Sequence, residues 1–145
     1  AAKQDIIDRT NALRREKGVA ALTVNDKLMQ AAQARADEMA ASGVYSHTRP
    51  DGRKYTTVTD CKYIGENIHL IGEWQIRDSS LPSFAVEAWK NSAAHLKNML
   101  NTRYHEIGVG VSKGTVMDEP YWYCVQLFLL DGYNVTWVDA PAAKG

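Results

Sequence analysis

The run from Tyr121 to Leu130 constrains the fold more than any other stretch of the chain. In an extended segment successive side chains point to opposite faces. Tyr121, Tyr123, Val125 and Leu127 then share one face and Trp122, Cys124 and Phe128 the other, so both faces are apolar. A strand of this kind needs a covering layer on each side. Just upstream, Ile107, Val109 and Val111 alternate with Gly108, Gly110 and Ser112, which predicts a neighbouring strand joined to it through the 112–120 loop and Asp118-Glu119-Pro120. Asp131-Gly132 predicts a further hairpin, into a strand over Tyr133 to Val138.

Helices can supply the two layers. Ile6, Ile7, Thr10, Leu13 and Arg14 recur at helical spacing within 4–17, and Gly18 provides a stop. Asn25 can cap a second helix carrying Leu28, Ala32, Ala36 and Met39, and Gly43 ends it. Its small alanines imply close packing. Pro82 suits the first turn of a helix bearing Phe84, Ala85, Val86, Ala88 and Trp89, and Ser92 can cap a shorter one with His95, Leu96 and Met99. Gly65-Glu66-Asn67-Ile68 is too short to assign, and the segment 69–81 has no clear period and reads as irregular. The expected fold class is α+β: a three-layer α-β-α sandwich around a small central antiparallel sheet. A chain of 145 residues suits a single domain over 1–145.

Charge narrows the function. Lys plus Arg and Asp plus Glu each number 17, so the net charge is zero, and no basic face for nucleic acid is expected. Arg14, Arg15 and Lys17 read as a short solvated run. The longest apolar stretch is too short for a membrane span, so no transmembrane segment is expected. The start at Ala1 without Met suggests that a signal peptide or a longer N-terminal segment precedes it in the full protein. Cys61 and Cys124 lack CxxC spacing, which argues against a thiol zinc site and leaves one disulfide as an option.

Motif spacing removes several chemistries. His105-Glu106 opens like H-E-x-x-H, but Val109 stands where the second His belongs and the flanking glycines disfavour a helix. On a strand His105 would face outward and Glu106 could face inward. Gly108, Gly110 and Gly114 do not have dinucleotide-binding spacing, and neither Ser46 nor Ser92 sits in a nucleophile elbow. His69 carries no assignment. His47 follows Ser46 at the entrance to a loop turned by Pro50-Asp51-Gly52.

Taken in order, Ser46-His47-Thr48 with Pro50-Asp51-Gly52, then Gly65-Glu66-Asn67, then Val86, Trp89, Ser92, His95 and Asn98, then Glu106-Ile107-Gly108-Val109-Gly110, then Tyr121-Trp122 resemble the CAP superfamily, in its bacterial SCP-like extracellular branch. The likeness runs from about residue 6 to 130. It implies a secreted α-β-α sandwich with a cleft of two His and two acids, here His47, Glu66, His95 and Glu106, which in some members binds a divalent metal such as zinc. The chain departs from the pattern at Ser92, where eukaryotic members carry an acid, and at Ala94-His95-Leu96, where bacterial ones carry Gly-His-Arg.

Two readings of that set stand side by side. His47 and His95 could ligate zinc with the carboxylates completing or orienting the shell, or the four could form a hydrogen-bonded cluster tying loop, strand and helix together. A Cys61–Cys124 disulfide would brace the cleft floor. The first functional expectation is a monomeric extracellular binding module for a ligand or protein partner, lipid among the candidates. The alternative is a metal-assisted hydrolase using Glu66 or Glu106 as general base. A third reading is an envelope component associating through Tyr121, Trp122 and Tyr123.

Overall fold

The computed structural model describes residues 1–76 and 80–140. Helix α1 spans Ala2–Glu16, with Gly18 taking up a positive φ just beyond it. Helix α2, Asp26–Ser42, is bounded as its sequence predicts: the Asn25 side chain accepts the Leu28 N–H, and Gly43 closes the helix in the left-handed conformation. Ser80 caps α4 (Leu81–Lys90) by accepting the Ser83 N–H. Ser92 occupies the cap position of α5 (Ala93–Leu100), but its side chain makes no capping bond.

The sheet contains β1 (Thr23–Val24), β2 (Ile64–Gly72), β3 (Tyr104–Val116) and β4 (Glu119–Leu130) in the order β1-β3-β4-β2. The β2, β4 and β3 ladders are antiparallel as expected, whereas the two-residue β1 runs parallel to β3, so the sheet is mixed. The expected 112–120 loop shrinks to Met117-Asp118. Both residues have positive φ, the geometry that joins right-twisted strands most tightly.

Three expectations are corrected here. First, 69–81 is not irregular throughout: Ile64–Gly72 is one continuous strand, and Glu73–Ile76 forms the short helix α3; residues 77–79 lie outside the described ones. Second, Tyr133 to Val138 forms no strand, only a single bridge between Val138 and Thr59. The hairpin fails because β4 is central and both of its edges are already paired. Third, Arg14 is not solvated. It is 1% exposed and donates to the carbonyls of Ala20, Met99, Asn101 and Tyr104, pinning α1 to the approach to β3.

The two apolar faces of β4 are covered as its pattern requires. Tyr123, Val125, Leu127 and Leu129 pack under α2 with Leu28, Ala32, Ala36 and Met39. Cys124 and Phe128 pack with Ile6, Leu13, Ala85, Trp89 and Met99 under α1, α4 and α5. Gly108 and Gly110 let α2 lie against the sheet, since a Cβ at either would run into the α2 backbone at Leu28 or Ala32. The expected disulfide does not form. Cys61 and Cys124 are both free and buried, in the cores on opposite faces of the sheet. Burial pushes the Cys124 thiol up to about 12, which keeps it protonated and inert.

Candidate functional site

The site grows from two consecutive residues of β2, an edge strand. Glu66 pairs across the ladder with Leu127 and faces α2, while Asn67 pairs with Gln126 and faces α5. Alternation along one strand therefore sends a carboxylate to one layer and an amide to the other.

On the α2 side, the Glu66 side chain is wholly buried and accepts from Arg35 through both oxygens, at 2.8 Å to Nε and 3.1 Å to Nη2. Glu66 Oε1 also lies 2.8 Å from His47 Nδ1. His47 is half-exposed, its loop held by Arg35 Nη2 on the Ser46 carbonyl and by the Tyr55 N–H on its own carbonyl. A carboxylate accepting at Nδ1 fixes a proton there and leaves Nε2 as the ring nitrogen not engaged by Glu66.

The charge chain continues away from His47 and ends at the surface on Arg53. Arg35 Nη1 donates to Glu38, Glu38 accepts from Arg49, and Arg49 reaches Asp139, which Arg53 also holds. Burial alone would push the Arg35 guanidinium down, but its hydrogen bonds to Glu66 and Glu38 and their charges outweigh this and leave it raised. Arg35, Glu38 and Arg49 are absent from the sequence-level site. Their signal is weak, because an Arg and a Glu three positions apart on a helix look like an ordinary surface pair.

On the α5 side the chemistry is neutral. Asn67 donates to the His95 carbonyl and to Gln126 Oε1, both at 3.1 Å, and accepts from Asn98 Nδ2 at 2.9 Å. Gln126 passes the chain on to Thr10 of α1. The α5 turn that carries His95 is thus fastened to the strand that carries Glu66. Burial, and then the charge of His47, lower His95, so its ring favours the neutral form. His69, also on β2, is lowered by burial and then by His95. It is a neighbour of the cleft that sequence reading leaves unassigned.

The structure brings His47, Glu66 and His95 to the β2 edge and places Glu106 elsewhere. Glu106 stands near the start of β3, paired across the ladder with Leu129 and 3.5 Å from the Asn25 amide. With β4 intervening, it is about 10 Å of sheet away from β2. His105 is exposed, as its alternation predicts. Among the described residues no group of three or more His, Cys, Asp or Glu is arranged to hold a metal ion. Glu66 is already neutralised by Arg35, so the donors offered outward are the imidazoles of His47 and His95. That pair fits a two-imidazole contact rather than a closed zinc shell.

Of the aromatics considered for association, Tyr123 is fully buried and Trp122 partly so. The prominent exposed rings are Trp74 and Trp137.

The α-β-α sandwich built here is the fold of SCP-type domains. The chain belongs to the CAP family, the cysteine-rich secretory protein family, whose model matches residues 7–128. It is 29% identical over 123 residues to the uncharacterized protein YkwD of Bacillus subtilis (strain 168), a match covering 83% of this chain and 47% of that protein. The chain thus spans less than half of that curated relative. Among solved structures, an extracellular protein containing a SCP domain from Bacillus anthracis str. Ames aligns with a TM-score of 0.67 at 25% identity, over 90% of this chain and 40% of that one. NaASP2 with Zn2+ aligns with a TM-score of 0.60 at 15% identity, over 86% of this chain and 78% of that one, a likeness of fold. No described helix is long and apolar enough to cross a membrane.

Proposed function

We propose that this chain is a secreted extracellular recognition module that binds through the β2-edge cleft, with His47 and His95 presenting imidazole nitrogens to a ligand or to a divalent metal ion such as zinc. The observation that carries this reading is the 2.8 Å contact of His47 Nδ1 with a Glu66 carboxylate that is itself buried and clamped by Arg35. An exposed ring held at one nitrogen by a buried, doubly fastened acid is pre-organised to bind at the other. His95, kept neutral by burial, adds an imidazole nitrogen of its own. If a metal ion binds, these two rings hold it and it supplies Lewis acidity. Glu66 acts from behind by fixing the His47 tautomer, and a solved relative in this fold carries Zn2+.

The same geometry favours binding over metal-assisted hydrolysis. A general base must reach the proton it takes. The Glu66 side chain is fully buried and shared between Arg35 and His47, and Glu106 is two strands away. Calorimetric titration of the metal-stripped chain with zinc tests the reading. One-site binding that His47→Ala and His95→Ala each abolish, and that Glu66→Gln weakens about tenfold or more, is the expected result. Equal affinity in all four proteins would overturn the metal reading, and zinc-dependent ester or peptide turnover lost in Glu66→Gln would restore the hydrolase.

A further inference from the structure

A cavity of about 360 Å³ lies apart from the histidine cleft and shares no residue with it. It lies where the start of β2, the loop between α5 and β3 and the turn after β4 meet over Leu130. Backbone bonds fix the three segments to one another: Leu130 N–H donates to the Tyr63 carbonyl at 3.2 Å, and Asp131 N–H donates to the Arg103 carbonyl at 2.9 Å. Gly132, at φ 87°, turns the chain back, and the Tyr133 ring stacks on Tyr63 with centroids 4.0 Å apart and planes 23° from parallel. The two rings remain 39% and 41% exposed, so the stacked pair presents a firm aromatic surface to solvent.

Around that surface the polar groups are unspent. Among the described residues, neither the Arg103 guanidinium nor the Thr102, Tyr63 or Tyr133 hydroxyl has a hydrogen-bond partner, and Asp131 approaches His105 only to 3.8 Å, beyond hydrogen-bond reach. Lys62 sits over the Tyr63 ring, 5.4 Å from its centroid. The mixture is specific in kind. An aromatic surface takes the C–H face of a pyranose, hydroxyls and a carboxylate take ring hydroxyls, and a free guanidinium fork takes a carboxylate in bidentate fashion. A phosphate dianion would bring two negative charges up to Asp131, whereas a single carboxylate is matched by Arg103. The geometry points to a binding site for an acidic saccharide, a uronic-acid pyranose lying against the Tyr63–Tyr133 pair with its carboxylate on Arg103.

An amide-resolved NMR titration of the full chain with glucuronic acid, glucose and AMP decides this. The expected result is glucuronic acid shifting Arg103, Asp131, Gly132 and Tyr133, with an affinity about tenfold or more above that of glucose. Arg103→Gln should erase that advantage while glucose binding persists, and Arg103→Lys should restore it only in part. Tyr133→Ala should weaken both sugars. Every substituted side chain is exposed, and the same spectra report whether each variant keeps its fold. Absence of shifts at these residues, an advantage that survives Arg103→Gln, or stronger perturbation of the same residues by AMP would each overturn the assignment.

Discussion

Glu66 and Asn67 are neighbours in the chain, yet the two faces they enter solve the burial of polar groups in opposite ways. Under α2 the solution is ionic: Glu66, Arg35, Glu38 and Arg49 alternate in sign, and all four are buried. Under α1 and α5 it is neutral, running from Asn98 through Asn67 and Gln126 to Thr10 and ending on the Ile6 carbonyl. The ionic side supports a half-exposed ring that needs one defined tautomer, whereas the neutral side fastens a helix turn to a strand. A buried charge chain gives direction at the cost of desolvation, and a neutral chain gives attachment whatever the pH.

The comparison breaks most visibly at Arg35. Arg35→Ala leaves the Glu66 and Glu38 carboxylates without their shared cation, Glu66 fully buried, and should cost about 3–5 kcal/mol in chemical denaturation. Because the penalty comes from uncompensated negative charge, it should shrink at acidic pH, where a proton can replace the missing cation. A variant equally destabilised at neutral and acidic pH would show that Arg35 acts through packing alone. On the other face, Gln126→Ala removes both the acceptor of Asn67 and the donor to Thr10. The expected loss is smaller, about 1–3 kcal/mol, and flat between pH 5 and pH 8. A pH-dependent loss there would erase the distinction between the faces.

What the sequence disclosed follows the same division. Elements with a terminating device or a clean period are legible: α2 between Asn25 and Gly43, α4 from Pro82, and the double-faced β4. Strand β2 was not, because nearly all of Ile64–Gly72 is buried on both faces, with a carboxylate and an amide where alternation would place apolar residues. The failed hairpin after Asp131-Gly132 is a different error: local turn chemistry was right in kind, but pairing needs a free edge, which only topology reveals. Of the site, His47, Glu66 and His95 were reachable by motif order. Arg35 and Arg49 were not, since nothing local separates a buried arginine from a solvated one. Motif order groups Glu106 with His47, Glu66 and His95, yet it stands two strands away in the same sheet.

His69 offers the smallest and sharpest test, because it sits on the strand that both faces share. Burial, followed by the charge of His95, holds its folded-state value below the ordinary histidine range. The unfolded chain therefore takes up a proton near pH 6.5 while the folded one does so only at lower pH. In that interval the unfolded state binds more protons, so stability is full above pH 6.5 and declines as pH falls through the lowered value. The slope for this one proton cannot exceed about 1.4 kcal/mol per pH unit. Denaturation of His69→Gln at pH 7, 6 and 5 should give a flatter profile than the parent chain. Parallel profiles would move the acid sensitivity to other groups, and a steeper one would mean that His69 accepts its proton more readily when folded, reversing the sign argued here.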